Sequence, residues 1–204
     1  MFFTLEGIDG SGKTTASKIV VDRLTAEGYD VILTREPGGD RIAEQLRKFI
    51  LSTENPEITS GTESLLYIAA RKQHVDTKIA PAVAAGKIVI CDRFMDSTTA
   101  YQGYGRNQDV NKIDSIQSLV LEANMPIKTF FFDIAPNKVV SRLNNRGNLD
   151  RLELEGLQFQ ERVYKGYLAL VKKYSSRFVV INADQDQESV ANNLYNELVK
   201  VLKK

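Results

Sequence analysis

The stretch Gly7-Ile8-Asp9-Gly10-Ser11-Gly12-Lys13-Thr14, with Thr15 behind it, constrains this chain more than any other. It fits G-x-x-x-x-G-K-[ST], a loop whose glycines let backbone N–H groups close around a polyphosphate. Such a loop needs a strand before it and a helix after it. Phe2-Phe3-Thr4-Leu5 has the aromatic and β-branched character of a buried strand, and Thr14 to Leu24 repeats apolar residues at helical spacing. The helix N-terminus adds its positive potential to that of the loop amides. In this motif Lys13 reaches the terminal phosphates, and the Thr14 hydroxyl helps to hold Mg²⁺.

Four more short apolar runs follow: Val31-Ile32-Leu33-Thr34, Ile88-Val89-Ile90-Cys91, Thr129-Phe130-Phe131-Phe132 and Phe178-Val179-Val180-Ile181. Between them, Ile42 to Leu51, Glu63 to Ala85, Ile113 to Ala123, Leu157 to Tyr174 and Glu188 to Leu202 carry helical periodicity, and Pro136 opens a further helix. Gly28 and Gly86 stand where helices stop. Ser97 to Asn107 is polar and Gly-rich, and reads as a connecting segment. Strands alternating with helices predict an α/β fold, a P-loop three-layer sandwich with a five-stranded parallel sheet flanked by helices. With 204 residues and no linker composition, the chain is expected to form a single P-loop domain over 1–204, the charged segment at about 142–156 serving as a mobile lid.

Lys+Arg 27 against Asp+Glu 26 leaves a net charge of +1, so no global field calls for a nucleic acid polymer. Cys91 is the sole cysteine, which excludes an internal disulfide and fits a reducing compartment. The first strand begins without a charged leader, and no apolar run approaches the roughly 20 residues that span a bilayer. A cytoplasmic protein without membrane partners is expected.

Asp92 follows a strand, where nucleotide-binding enzymes place the carboxylate that helps to hold Mg²⁺ opposite the loop hydroxyl. Arg35, Arg47, Arg71 and Arg93 come from four separate segments, and Arg35 and Arg93 lie at strand ends, where ligands of such sheets bind. The planar fork of arginine suits bidentate binding of phosphate. Arg142, Arg146 and Arg151 form a second group in the charged segment. A closing segment that brings arginine excludes water, which favours transfer to a bound acceptor over hydrolysis. Asn111-Lys112-Ile113-Asp114 spells the guanine-reading N-K-x-D, but no hydrophobic strand precedes it, so it reads as a helix start. His74 reads as a surface or partly packed residue and Cys91 as a small core residue.

With these residues laid out, the chain resembles the bacterial thymidylate kinases of the nucleoside monophosphate kinase group. The resemblance rests on the phosphate loop, Thr34-Arg35-Glu36-Pro37-Gly38-Gly39, Leu46-Arg47, Tyr67 through Arg71, Asp92-Arg93-Phe94, Ser97 with Ala100-Tyr101-Gln102-Gly103, and Arg146-Gly147 with Leu149-Asp150-Arg151. It implies phosphotransfer from ATP to dTMP with Mg²⁺. Gly7, Asp9, Gly10, Ser11, Gly12, Lys13, Thr14, Thr15 and Arg142 would hold ATP, and Thr14 and Asp92 the metal. Asp9, Glu36, Arg47, Tyr67, Arg71, Arg93, Ser97, Tyr101 and Gln102 would form the acceptor pocket. Lys13, Arg93, Asp9, Arg142 and Arg146 would serve the chemistry.

Within the pocket, the resemblance puts Arg47 and Arg93 on the acceptor phosphate and Glu36 near the deoxyribose 3′ side. Arg71, Ser97 and Gln102 would meet the thymine edge, Tyr67 its face, and Tyr101 the sugar 2′ position. Many members carry Phe where this chain has Tyr67, and the eukaryotic type has an arginine inside the loop that this chain lacks. The family also implies a homodimer, for which helices between Ser64 and Ala85 and between Ile113 and Ala123 are candidate faces. Another nucleotide or nucleoside kinase on the same scaffold, or a nucleotide-dependent switch without catalysis, stay open as alternatives.

Overall fold

A computed structural model describes residues 1–139 and 150–203. Its sheet has five parallel strands: β1 (Phe2–Glu6), β2 (Val31–Arg35), β3 (Ile88–Asp92), β4 (Lys128–Asp133) and β5 (Phe178–Asn182), in the order β2-β3-β1-β4-β5. Every expected strand is present, and each runs one polar residue further at its carboxyl end: Glu6, Arg35, Asp92, Asp133 and Asn182. Four of these lie in a register pair with a neighbour's last residues, as Arg35 does with Asp92 and Asp133 with Asn182. Ladder hydrogen bonds belong to the backbone, so a charged side chain ends the apolar pattern without ending the strand.

Alternation distributes β1 and β3 between two apolar clusters. Phe3, Leu5, Ile88 and Ile90 join Ala16, Val20 and Leu24 of α1 (Lys13–Ala26). Phe2, Val89 and Cys91 join Val75, Ile79 and Ala82. The carboxyl-terminal helix (Gln187–Leu202) packs beside α1. Chain order runs outward from β1 in both directions, to β2 through α1 and later to β4, so a crevice opens beyond the carboxyl ends of β1 and β3.

Caps place the helices that border this crevice. Asp40 accepts from the amides of Ile42 and Ala43 to start α2 (Arg41–Leu51), and Thr59 accepts from that of Thr62 to start α3 (Ser60–His74). The helix expected from Glu63 to Ala85 starts three residues earlier and is not uniform. Wide π-helical turns at Val75–Ile79 separate α3 from α4 (Ala80–Ala84). Asp109 accepts from the amides of Asn111 and Lys112, so the N-K-x-D stretch is a helix start, as expected.

The connecting segment expected at Ser97 to Asn107 is a correction. Met95–Thr98 is α-helical, Thr99–Gly105 continues in π-helical turns, and Ser97, Thr98, Thr99, Tyr101 and Gln102 are all buried. Their polarity marks hydrogen bonding to buried charges, not contact with solvent. Within the segment expected as a lid, Arg151 donates to Ile50 O and Glu63, and Glu153–Glu155 forms a 3₁₀ turn. The rest of the expected lid, with Arg142 and Arg146, lies outside the described residues.

Candidate active site

The phosphate loop begins at Gly7, whose φ is 146° and where a Cβ would sit 2.9 Å from Phe132 O, so no side chain fits. Gly12, at φ 90°, turns the chain into α1. Lys13 folds back into the loop, where its ammonium donates to Gly7 O, Ile8 O and Ser11 Oγ at 2.9, 2.9 and 3.1 Å. Burial pushes its pKa down to about 8, with the nearby Arg93 charge adding to the effect. A cavity of about 540 Å³ runs over this loop, lined by Asp9 through Ala16 and by Ala183, Gln185, Asp186, Gln187 and Val190.

A second cavity, of about 210 Å³, lies beside it and is walled by Arg35, Glu36, Arg47, Tyr67, Arg71, Ser97, Tyr101 and Gln102 among others. The two cavities share Asp9, Thr14, Asp92 and Arg93. At this junction Thr14 Oγ1 donates to Asp92 Oδ2 at 2.7 Å, while Asp92 Oδ1 is buried without a partner among the described residues. A hydroxyl and an orphaned carboxylate oxygen beside a phosphate loop are a hard oxygen donor set, which fits a divalent cation.

Arg93 is the hub of the junction. Its backbone takes φ 71°, uncommon for a side chain of this size, and its amide donates to Leu5 O at 2.8 Å. The guanidinium donates to Asp9 (2.7 Å), Tyr101 OH (3.0 Å), Ser97 Oγ (3.1 Å) and Tyr167 OH (3.3 Å). Burial opposes its charge, but Asp9, Tyr101, Tyr167 and Asp92 together outweigh the burial and hold its pKa well above the usual value. Burial pushes Asp9 up, and the charges of Arg93 and Lys13 with the hydrogen bonds from Tyr101 and Arg93 together more than reverse it, so its carboxyl stays below the ordinary range. Tyr101 OH closes the group by donating to Asp9 Oδ2 at 2.7 Å.

Arg71 is buried at the far side of the second cavity. Its three donor directions are fixed by Glu36 (2.7 Å), Gln117 (2.5 Å) and Thr98 (3.0 Å). His74, expected as a surface or partly packed residue, is fully buried and bridges Thr34 Oγ1 and Glu36 Oε1. Helical periodicity showed a polar residue on α3 but not that its face meets the charged end of β2. Gln102 Nε2 donates to Glu63, which also takes Arg106 and Arg151. Arg35 and Arg47 both donate to Pro37 O, and burial together with the Arg35 charge lowers the pKa of Arg47. Tyr67 is buried against the cavity, and its hydroxyl has no hydrogen-bond partner among the described residues.

Against known proteins, the thymidylate kinase family model matches residues 5–194. The chain belongs to the thymidylate kinase family. Thymidylate kinase of Exiguobacterium sibiricum is 43% identical over 203 residues, spanning 100% of this chain and 96% of the relative. That of Mycoplasma capricolum is 45% identical over 204 residues, spanning 99% and 94%. The crystal structure of thymidylate kinase from Ehrlichia chaffeensis superposes with a TM-score of 0.79 at 36% identity, covering 100% of this chain and 98% of that one.

Of the site residues expected from this family member's sequence, the described ones other than Gly7 line the two joined cavities, from Asp9 of the loop to Gln102. Arg142 and Arg146 are outside the described residues. Sequence reading missed Glu6 and Tyr167, which contact Ser97 beneath Arg93, and Thr98 and Gln117, which hold Arg71. Only Glu6 carried a local signal, a charge directly after an apolar strand and before the loop glycine.

Proposed function

We propose that the protein transfers the γ-phosphate of ATP to dTMP, giving dTDP and ADP. The carrying observation is the pair of cavities joined at Asp9, Thr14, Asp92 and Arg93, one over a phosphate loop and one walled by arginines. An acceptor that itself bears phosphate explains both Arg47 and Arg93 on the second cavity. A free nucleoside does not call for them.

In this reading the loop amides and Lys13 bind the ATP phosphates, with Gly7, Gly10, Ser11, Gly12 and Thr15 shaping the cradle. Thr14 and Asp92 suit a divalent cation, which we take to be Mg²⁺; bound there with nucleotide it supplies charge neutralisation at the phosphate oxygens. Arg93 and Arg47, with Arg35 beside them, hold the dTMP phosphate near the γ-phosphorus. A dTMP phosphate oxygen bonds to that phosphorus as its bond to the β-phosphate oxygen breaks. Asp9 fixes Arg93, and Tyr101 crowds the sugar. Arg71 offers donors to the thymine, Ser97, its hydrogen held by Glu6, lines the same wall, Glu36 approaches the sugar, and Gln102, its amide NH₂ held by Glu63, turns its carbonyl to the base. Tyr67 covers the ring. Arg142 and Arg146 are assigned to transition-state charge on the family resemblance alone.

ADP formation from ATP should require dTMP, and thymidine should leave it at background. Equal turnover of thymidine would sink the monophosphate reading and favour a nucleoside kinase. A cytoplasmic location is proposed on the single buried thiol of Cys91, and cell fractionation is the check. No described helix is long and apolar enough to cross a membrane. We also propose a homodimer. Leu65 of α3 is 55% exposed, and Ile116 and Leu119 of the helix Val110–Leu121, which packs against α3, are 37% and 80% exposed. Light scattering should report two chains, and a mass of one chain would refute it.

A further inference from the structure

We propose that Glu6 is a positioning residue for phosphate transfer: its carboxylate turns the hydroxyls of Ser97 and Tyr167 so that both accept from Arg93, and it pins the backbone that aims Arg93 at the acceptor. The inference rests on the reading of Arg93 as a ligand of the acceptor phosphate.

Glu6 is the last residue of β1 and is fully buried. Three donors converge on it: the amide of Phe94 on Oε1 at 2.8 Å, and Ser97 Oγ at 2.5 Å and Tyr167 OH at 2.9 Å on Oε2. The Phe94 amide belongs to the peptide directly after Arg93. With the Arg93 amide bonded to Leu5 O, the left-handed turn at φ 71° is held on both sides by β1. Holding a rare backbone conformation needs such bracing.

The side-chain argument is one of hydrogen counting. A guanidinium only donates. Arg93 Nη1 points at Ser97 Oγ and Tyr167 OH, which lie 2.9 Å from each other, so each must offer it a lone pair and send its own hydrogen elsewhere. Ionised Glu6 receives both hydrogens. A protonated Glu6 must instead donate to one of these hydroxyls, which then turns its hydrogen toward the other hydroxyl or toward Arg93. Either way the acceptor pair behind Arg93 gives up a lone pair and is weakened, so the charge of Glu6 gates the hold on the arginine.

The surroundings place this change in an accessible range. Burial is the main influence and Asp96 the next, and together they push Glu6 up to about 7 against the pull of the Ser97 hydrogen bond, the Arg93 charge and the Tyr167 hydrogen bond. Among the described residues, Lys13 on α1, Cys91 on β3 and Arg177 before β5 are further titratable groups that feel its charge. Asp96 is itself held by Arg177 in a two-point ion pair.

The test compares wild type, Glu6→Gln and Tyr167→Phe by the pH dependence of kcat/KM for dTMP, which reports ionisations of the free enzyme and substrate. Wild type should lose activity below about pH 7 with one ionisation more than the substrate phosphate supplies. In Glu6→Gln that ionisation disappears, and the plateau falls by roughly tenfold through KM for dTMP while KM for ATP stays within about twofold. Tyr167→Phe removes a donor from the carboxylate and moves the midpoint to higher pH. Should Glu6→Gln fail to fold, the Tyr167→Phe shift and the ¹³C carboxyl titration of Glu6 in the wild-type protein decide the matter. A Glu6→Gln profile superposable on wild type, or a Glu6 carboxyl that titrates below pH 5, overturns the proposal. Absence of any phosphate transfer to dTMP by wild type overturns the functional reading instead, and leaves the titration as a test of the hydroxyl array.

Discussion

Replacing Arg93 with Ala is expected to lower kcat/KM for dTMP by ~10³-fold or more, the range in which a charge at a transferring phosphoryl group acts. The expectation follows from its place where the two cavities meet and from the four side chains that fix it, Asp9, Tyr101, Ser97 and Tyr167. No other described residue joins the loop aspartate to the second cavity through a cation. ATP binding, measured by calorimetry on the same variant, should change far less, because Lys13 and the loop amides are untouched. Arg93→Lys should recover only part of the loss, since an ammonium keeps the charge but not the fork that spans Asp9 and Ser97 together. A kcat/KM within tenfold of wild type in Arg93→Ala would remove Arg93 from the chemistry.

Arg71→Met should act first on stability. Arg71 and Glu36 form an ion pair at 2.7 Å whose side chains are 2% and 3% exposed, and Glu36 is also bonded by His74. Deleting one member of a buried pair leaves the other charge without its counterion, which costs about 3–5 kcal/mol. Urea unfolding should show a loss of that size, together with a rise in KM for dTMP. The double variant Arg71→Met with Glu36→Gln should regain much of the stability and none of the dTMP affinity. If the single variant unfolds within about 1 kcal/mol of wild type, the pair is not the buried hub described.

The difference between these two arginines also shows where sequence reading reached its limit. The phosphate loop, the five strands and the helix that Asp109 starts were legible because each is a local pattern: a spacing, a periodicity or a cap. Strand ends were read one residue short every time, because the ladder continues through Glu6, Arg35, Asp92, Asp133 and Asn182 while the hydropathy pattern does not. Of these, Arg35 and Asp92 line the joined cavities and Glu6 lies beneath Arg93, so at β1, β2 and β3 the place where periodicity fails is where the site begins.

Ser97 to Asn107 failed for a related reason. Its polar, Gly-rich composition reads as a connection, but Ser97, Thr98, Tyr101 and Gln102 spend that polarity on Glu6, Arg71, Asp9 and Glu63, all brought in by other elements. His74 is the same case seen from α3: its partners Thr34 and Glu36 are some forty residues away in sequence. Nothing within a window of the chain announces a partner that only the fold supplies. The roles of Arg35, Arg47, Arg71 and Arg93 came from the family resemblance, and the distances now give each a physical context.

The most direct test of the account offers the purified protein a panel of acceptors with ATP and Mg²⁺ and identifies the products by ³¹P NMR and chromatography. dTMP should yield dTDP with equimolar ADP. dUMP should be converted more slowly, by the ~1–3 kcal/mol that one methyl group in a fitted niche provides. A clear preference for dCMP or GMP, or ATP binding with no transfer to any monophosphate, would contradict it.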